Sequence, residues 1–281
     1  PGVLKVYMKD YIKRMLEDFP YKDQVDKLKK VSSPAAEHLY AVDHKADLLD
    51  NKLKEEFHTA VAKALFLTKK ARPDLQPTVP FLCTRVQAPD TDDWKKLLRL
   101  YKYLEDTINW ELIIEVGSDK EKELIIGWYV DAAFAVHADF KLHTGAVMTL
   151  GKGAVNTISS KQKLNTRSST EAELVAADDI APLALWTINF LKEQGYTSKT
   201  TIYQDNTTAI LLETNDRESS SKRTRHLNTC YYFIKDCCDK NYWTIEYCPT
   251  DDMIGDYPSK PLQGQKFKKH QRSMMRLQPF E

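Results

Sequence analysis

The sequence contains no C-x-x-C pair. Its five cysteines, Cys83, Cys230, Cys237, Cys238 and Cys248, are odd in number and irregular in spacing. That argues against a zinc site and fits reduced thiols in an intracellular protein. No apolar run approaches transmembrane length, and the N-terminus has no signal-peptide pattern, so neither a membrane partner nor secretion is expected. A dominant charge is missing too. The formal net charge is +1, and no global field advertises a polyanionic partner. No internal repeat and no low-complexity segment is visible.

What is present is enough apolar material for a core. The 281 residues are 42% apolar and 10% aromatic, which suits one large domain or two smaller ones. The opening "PGVLKVYMKDYIKRML" reads as the middle of something longer. Val6, Tyr7, Tyr11, Ile12, Met15, Leu16 and Phe19 recur at helical spacing, and Pro20 ends that run. Residues 22–50 are polar and weakly patterned, as in a loop. "KLKEEFHTAVAKALFLTKKARPD" and "TDDWKKLLRLYKYLED" predict two further helices, with Asp90, Thr91 or Asp92 as cap of the second.

The pattern changes at 117–123, "GSDKEKE", a charged boundary. "LIIGWYVDAAFAV", "TGAVMTLG" and "GAVNTIS" predict a meander of strands, with a hairpin turn at Gly151-Lys152-Gly153. A long apolar helix follows, and Pro182 is expected to kink or split it near Ala181. "TTIYQD" predicts a strand, "NTTAILLET" and "HLNTCYYFIKDCCDK" helices, "YWTIEYC" a strand and "DDMIGDYPSK" a final turn or helix. A meander followed by strand–helix alternation gives an α/β fold: a mixed sheet with helices on its faces. Trp186, with Leu183, Ile188 and Leu191, is assigned to the core, and Tyr231, Tyr232 and Phe233 to helix packing. Two clusters are locally basic: "KRTRH" at 222–226 and the tail from Gly264.

Carboxylates interrupt the apolar strands at particular places. Asp131 lies inside "GWYVDAAFA". Asp205 ends "TTIYQD" at the carboxyl edge of a strand, where open α/β sheets place ligands. Asp256 follows the last strand. Glu171 and Glu173 open the long helix. A buried acid costs several kcal/mol unless paired, and no matching set of interior Lys or Arg stands out. Hard carboxylate oxygens suit Mg²⁺ or Mn²⁺, and two such ions can run phosphodiester hydrolysis. Each acid also has a plain alternative. Asp205-Asn206 fits a helix cap, Asp256 fits a turn, and Ser168-x-x-Glu171 and Thr170-x-x-Glu173 both fit capping boxes.

"SKQKLNTRSSTEAELVA" (160–176), "YQDNTTAI" (203–210), "RTRHLNTCYYFIKD" (223–236) and "MIGDYPSKPL" (253–262) resemble the ribonuclease H domain of copia-type retrotransposon polyproteins. Upstream, "YMKDYIKRMLEDFP" and "ARPDL…DDWKKLLRLYKYL" resemble more weakly the thumb- or connection-like segment after the polymerase palm. The resemblance implies a five-stranded mixed sheet with flanking helices over 119–265, a helix-rich segment over 1–118 and a basic tail over 266–281. It implies catalytic, metal-binding roles for Asp131, Glu173, Asp205 and Asp256, with two Mg²⁺ ions as cofactors and Mn²⁺ as a substitute. The substrate would be the RNA strand of an RNA–DNA hybrid, marked by its 2′-hydroxyls. Lys222, Arg223, Arg225 and His226, with Asn206, Ser168 and Ser169, are assigned to hybrid contact. The remaining partner would be the rest of the polyprotein, in a cytoplasmic virus-like particle or the nucleus.

Departures from the family pattern are few. Ala133 stands where a second acid is common on the first strand. The "CPTDD" loop lacks the histidine found before the last acid in cellular ribonucleases H. Tyr129-Val130-Asp131-Ala132 is not a Y-x-D-D polymerase hairpin, and polymerase activity is not expected. Two alternatives stay open, a catalytically inactive nucleic-acid-binding remnant and an integrase-like enzyme of the same fold.

The two glutamates are separable by helical phase. Two residues apart, they point about 200° away from each other. Glu173 is in line with Ala176, Ala177, Ile180 and Ala184, the face expected on the sheet. Glu171 shares a more mixed side with Leu174, Val175 and Asp178. Glu173 is therefore the expected ligand, and Glu171 the expected cap.

Overall fold

The computed structural model describes residues 2–117, 123–164, 166–214 and 228–276. In chain order the elements are β1 (Val3–Val6), α1 (Lys9–Glu17), α2 (Lys22–Asp26), α3 (Asn51–Lys70), a 3-10 turn (Pro73–Leu75), α4 (Thr78–Arg85) and α5 (Thr91–Asp106). Then come β2 (Leu112–Val116), β3 (Glu123–Ala133), β4 (His143–Thr149), β5 (Gly151–Lys152), β6 (Ala154–Lys161), α6 (Ser169–Glu193) and β7 (Thr197–Gln204). The last are α7 (Thr207–Thr214), α8 (Asn228–Asp239), β8 (Thr244–Tyr247), α9 (Asp256–Ser259) and α10 (Gly264–Met275).

Two compact units divide the chain: Pro1–Val3 with Ile114–Lys260, and Leu4–Ile113 with Pro261–Glu281. The second is helical. Asp90 caps α5 by accepting from the backbone amides of Asp92 and Asp93, and Asp93 accepts from the Asp90 amide in return. At its centre Arg72 makes a two-pronged, fully buried ion pair with Asp74, at 2.8 and 2.7 Å. Tyr103 donates to Asp74 at 2.8 Å, and Gln271 of α10 donates to Tyr103. The stretch from Gly264, basic by composition, is thus an amphipathic helix. Phe267, His270, Gln271, Met274 and Met275 are buried at helical spacing, and the lysines take the other side. Residues 22–50 hold the short α2, where a loop was expected.

The other unit is built on a five-stranded mixed sheet in the order β6-β4-β3-β7-β8. β3–β4 and β4–β6 are antiparallel, whereas β3–β7 and β7–β8 are parallel. The glycine turn between β4 and β6 also contributes β5, which pairs with Glu115 and Val116 of β2. One face of β3 carries Ile126, Trp128, Val130 and Ala132, which pack with Ile202 against Ala172, Ala176, Ile180 and Ala184 of α6. Small residues on α6 let the helix lie close to the sheet. A second face, Leu174, Val175 and Ala177, packs against Tyr231 and Ile234 of α8.

Three expectations about α6 need correction. The helix runs unbroken through Pro182. The proline is exposed, so the hydrogen bond it removes is on the solvent side, where water can serve the freed carbonyl. Burial of the turns on both sides outweighs the remaining cost. The helix is also long and apolar enough to cross a membrane by length and composition alone, although no such run was expected. Its buried residues face the sheet and α8 instead. Finally, Trp186 is not core: it is 62% exposed and stacked on Phe190 with centroids 5.1 Å apart, beside exposed Leu183. Tyr231 is buried and Tyr232 packs against the core, while Phe233 is 37% exposed.

Candidate active site

Strand register brings the first two acids together. In the parallel pair β3–β7, Tyr129 lies opposite Tyr203. Asp131 and Asp205 each follow two residues later, so both emerge at the carboxyl ends of neighbouring strands with the same orientation. Glu173 comes from the first turns of α6. The ligand oxygens of Asp131, Glu173 and Asp205 lie within 4.8 Å of one another.

Helix phase separates the two glutamates. Ser168 is the N-cap of α6 and accepts from the Glu171 amide at 3.2 Å. The Glu171 carboxylate reaches back to accept from the Arg167 amide at 2.7 Å. Glu173 turns inward and is 5% exposed. Its Oε2 is buried with no hydrogen-bond partner among the described residues. An unpartnered buried carboxylate oxygen beside two more carboxylates is a poor arrangement without a cation.

Asp256 stands apart from that trio. Seated on α9, it is fully buried and accepts from Lys260 Nζ at 2.5 Å. The same ammonium lies 3.2 Å from Asp131 Oδ1 and 3.1 Å from Oδ2. Ser259 donates a further hydrogen bond to Asp131 Oδ2, and Thr250 of the "CPTDD" loop donates to Asp205 Oδ2 at 2.8 Å. Two glycines let α9 sit this close. A Cβ on Gly145, which faces Asp131 across the β3–β4 pair, would come within 2.6 Å of Ser259. One on Gly255 would come within 2.8 Å of the Tyr129 carbonyl.

Burial, opposed by Lys260 and reinforced by Asp256, raises the Asp131 pKa to about 6. Burial followed by the charges of Asp131 and Asp205 pushes Glu173 well above the ordinary carboxylate range. Burial disfavours the Lys260 ammonium, but Asp131 and Asp256 outweigh it and hold its pKa above the usual lysine value. Clustered acids with perturbed protonation fit a hard divalent cation, whose charge would compensate several carboxylates at once. The donor set is all oxygen, which suits Mg²⁺ or Mn²⁺ and not a thiophilic metal.

The other sequence-assigned residues are placed as follows. Asn206 caps α7, its side chain accepting from the amides of Thr208 and Ala209 at 3.1 Å. Ser168 and Ser169 are exposed at the start of α6. Lys222, Arg223, Arg225 and His226 lie outside the described residues. Sequence reasoning gave no role to Thr250, Ser259 or Lys260. For Lys260 a signal existed, since a cation four residues after an acid is at a spacing where the two can pair.

The sheet order, the crossing of α6 and the acids at the strand ends define a ribonuclease H-like α/β fold. The chain's homologues are Pol polyproteins of transposons. It is 29% identical over 268 residues to the retrovirus-related Pol polyprotein from transposon TNT 1-94 of Nicotiana tabacum, covering 92% of this chain and 19% of that protein. It is 30% identical over 206 residues to the Pol polyprotein from transposon RE2 of Arabidopsis thaliana, covering 72% of this chain and 14% of that protein. The chain thus spans less than a fifth of the curated relatives' length. A crystal structure of RNase H1 from Halobacterium salinarum aligns at 10% identity with a TM-score of 0.33, over 49% of this chain and 91% of that one. No protein-family model matches the chain.

Proposed function

We propose that this chain is a divalent-metal-dependent endoribonuclease that hydrolyses the RNA strand of RNA–DNA hybrids within a copia-type retrotransposon polyprotein. The observation that carries the reading is the convergence of Asp131, Glu173 and Asp205 around the unpartnered Glu173 Oε2. These three residues, with Asp256 beside them, would hold the ions. Bound there, divalent ions supply Lewis acidity toward the scissile phosphate and its attacking water. The chain's own contribution is placement. β3 and β7 fix two carboxylates by register, and α6 delivers the third. Thr250 and Ser259 orient the Asp205 and Asp131 carboxylates through their hydroxyls.

The helical unit would correspond to the thumb- or connection-like segment of the parent polyprotein. Basic residues 222–226 would meet hybrid phosphates. The site of action would be intracellular, in a virus-like particle or the nucleus.

A cleavage assay tests the proposal with three labelled duplexes, RNA–DNA, RNA–RNA and DNA–DNA, in Mg²⁺. Cleavage of the hybrid alone by wild type, lost in Asp205→Asn, is the expected result. Hybrid binding without cleavage would leave a nucleic-acid-binding module. DNA nicking or joining would move the chain to the integrase-like class. Equal activity in Asp205→Asn would remove the site assignment.

A further inference from the structure

We propose that Lys260 acts as a built-in cation between Asp131 and Asp256, so that the site has one open ion position and one that a second divalent ion must take from the lysine ammonium. The inference rests on the reading of these acids as ion ligands. Asp131 lies between two differently furnished sides. Toward Glu173 and Asp205 it meets two further carboxylates, neither of which has a lysine or arginine bonded to it among the described residues. Toward Asp256 it shares Lys260 Nζ, 2.5 Å from one carboxylate and 3.1 Å from the other.

A structural salt bridge is the competing account, because Lys260 and Asp256 are an i,i+4 pair. Such pairs on helix surfaces are exposed on both sides and worth little. Here the Asp256 and Asp131 side chains are 0% and 2% exposed, and the ammonium also reaches across from α9 to β3. Two buried carboxylates this close to one cation would repel each other without it. Lys260 meets the electrostatic demand that a second ion would otherwise meet. Its own side chain is 37% exposed, so the flexible stem has a route out to solvent when a doubly charged ion takes over. Thr250 and Ser259 contribute neutral hydroxyls to the acids and do not compete in this way.

The test counts ions on the full chain in the absence of nucleic acid. Manganese is titrated and free Mn²⁺ is read by electron paramagnetic resonance. Wild type, Lys260→Met, Lys260→Arg and Asp205→Asn are compared, with circular dichroism to verify folding. Wild type should bind one Mn²⁺ ahead of the second. In Lys260→Met the second ion should tighten roughly tenfold or more, since a competing charge a few ångströms away has gone. Lys260→Arg, which keeps the charge, should behave as wild type. Lys260→Gln substitutes where the methionine variant folds poorly. An unchanged ion count and unchanged affinities in both charge-removing variants would overturn the role of Lys260. If Asp205→Asn weakens the first ion while those variants match wild type, the metal site stands and the lysine inference alone falls. If Asp205→Asn leaves Mn²⁺ binding untouched, the metal reading fails, and this inference with it.

Discussion

Burial makes Asp131 and Glu173 hold their protons to higher pH than exposed carboxyls, and an incoming ion competes with those protons. The Asp131 carboxyl, raised by burial to about 6 from the ordinary aspartate range, contributes stability to the metal-free fold below that ordinary range. That contribution is lost as pH rises through about 6, because the unfolded chain releases the proton first. Metal binding has the opposite dependence, since the ligands must be ionised. Mn²⁺ affinity is therefore expected to climb as pH rises through about 6, with protons released on binding. Calorimetry in two buffers of different ionisation enthalpy checks this. A binding heat independent of buffer, with flat affinity between about pH 5 and 8, would contradict it.

Glu213 shows the same direction away from the ion position. It is fully buried on α7, and burial, partly offset by a hydrogen bond from Gln204 at 3.2 Å, raises its pKa from 4.5 to about 8. Keeping it protonated at pH 7 costs on the order of 3 kcal/mol relative to an exposed glutamate. Glu213→Gln retains an acceptor for Gln204 and has no proton to lose. The difference in Tm between pH 5 and pH 8 should shrink in the variant, with the gain at pH 8. A variant as pH-sensitive as wild type would place the titration elsewhere.

At the scale of elements, α9 is held by its backbone's closeness to β3 and β4. A methyl group on Gly145 meets Ser259 at 2.6 Å, with the Gly255 carbonyl at 2.7 Å behind it. Gly145→Ala should thus lift α9 off the sheet, costing about 1–3 kcal/mol by overpacking and drawing Lys260 away from Asp131. Thermal unfolding gives the first effect, and the altered Mn²⁺ count gives the second. A variant with wild-type stability and ion binding would show that α9 gives way without loss.

The meander β3–β4–β6 was legible because glycines punctuate short β-rich runs. The phase of α6 was legible near Glu173 because small residues recur there every three or four positions. Further along, the same rule misled. Leu183, Trp186 and Phe190 repeat at helical spacing too, and a helix with apolar residues on more than one side does not say which side meets the sheet. Pro182 misled for a related reason, since local propensity speaks of the isolated helix and not of its packed neighbours. Lys260 and Thr250 join the acids through tertiary approach. Only the short-range pairing of Lys260 with Asp256 left a trace in the sequence.

For the whole chain, each compact unit has its own core, and the candidate site lies within one of them. Asp131, Glu173, Asp205, Asp256 and Lys260 all belong to Ile114–Lys260, whereas α10 completes the helical unit. Phe267, Met274 and Met275 are nearly or fully buried there, and Gln271 bonds Tyr103 beside the Arg72–Asp74 pair. Removing one such apolar side chain costs about 2–5 kcal/mol, and an ordinary domain holds only about 5–15 kcal/mol in reserve. Deleting residues 264–281 should therefore melt or strongly destabilise the helical unit. Ion binding by the sheet unit should survive, since no ligand is lost. Differential scanning calorimetry with and without Mn²⁺ separates the two, because binding raises the transition of the unit that holds the ion. The deletion should lower or abolish the Mn²⁺-insensitive transition and leave the Mn²⁺-dependent one in place. Loss of the Mn²⁺-dependent transition on deletion would mean that the ribonuclease H-like unit does not hold its ion site without the helix that follows it.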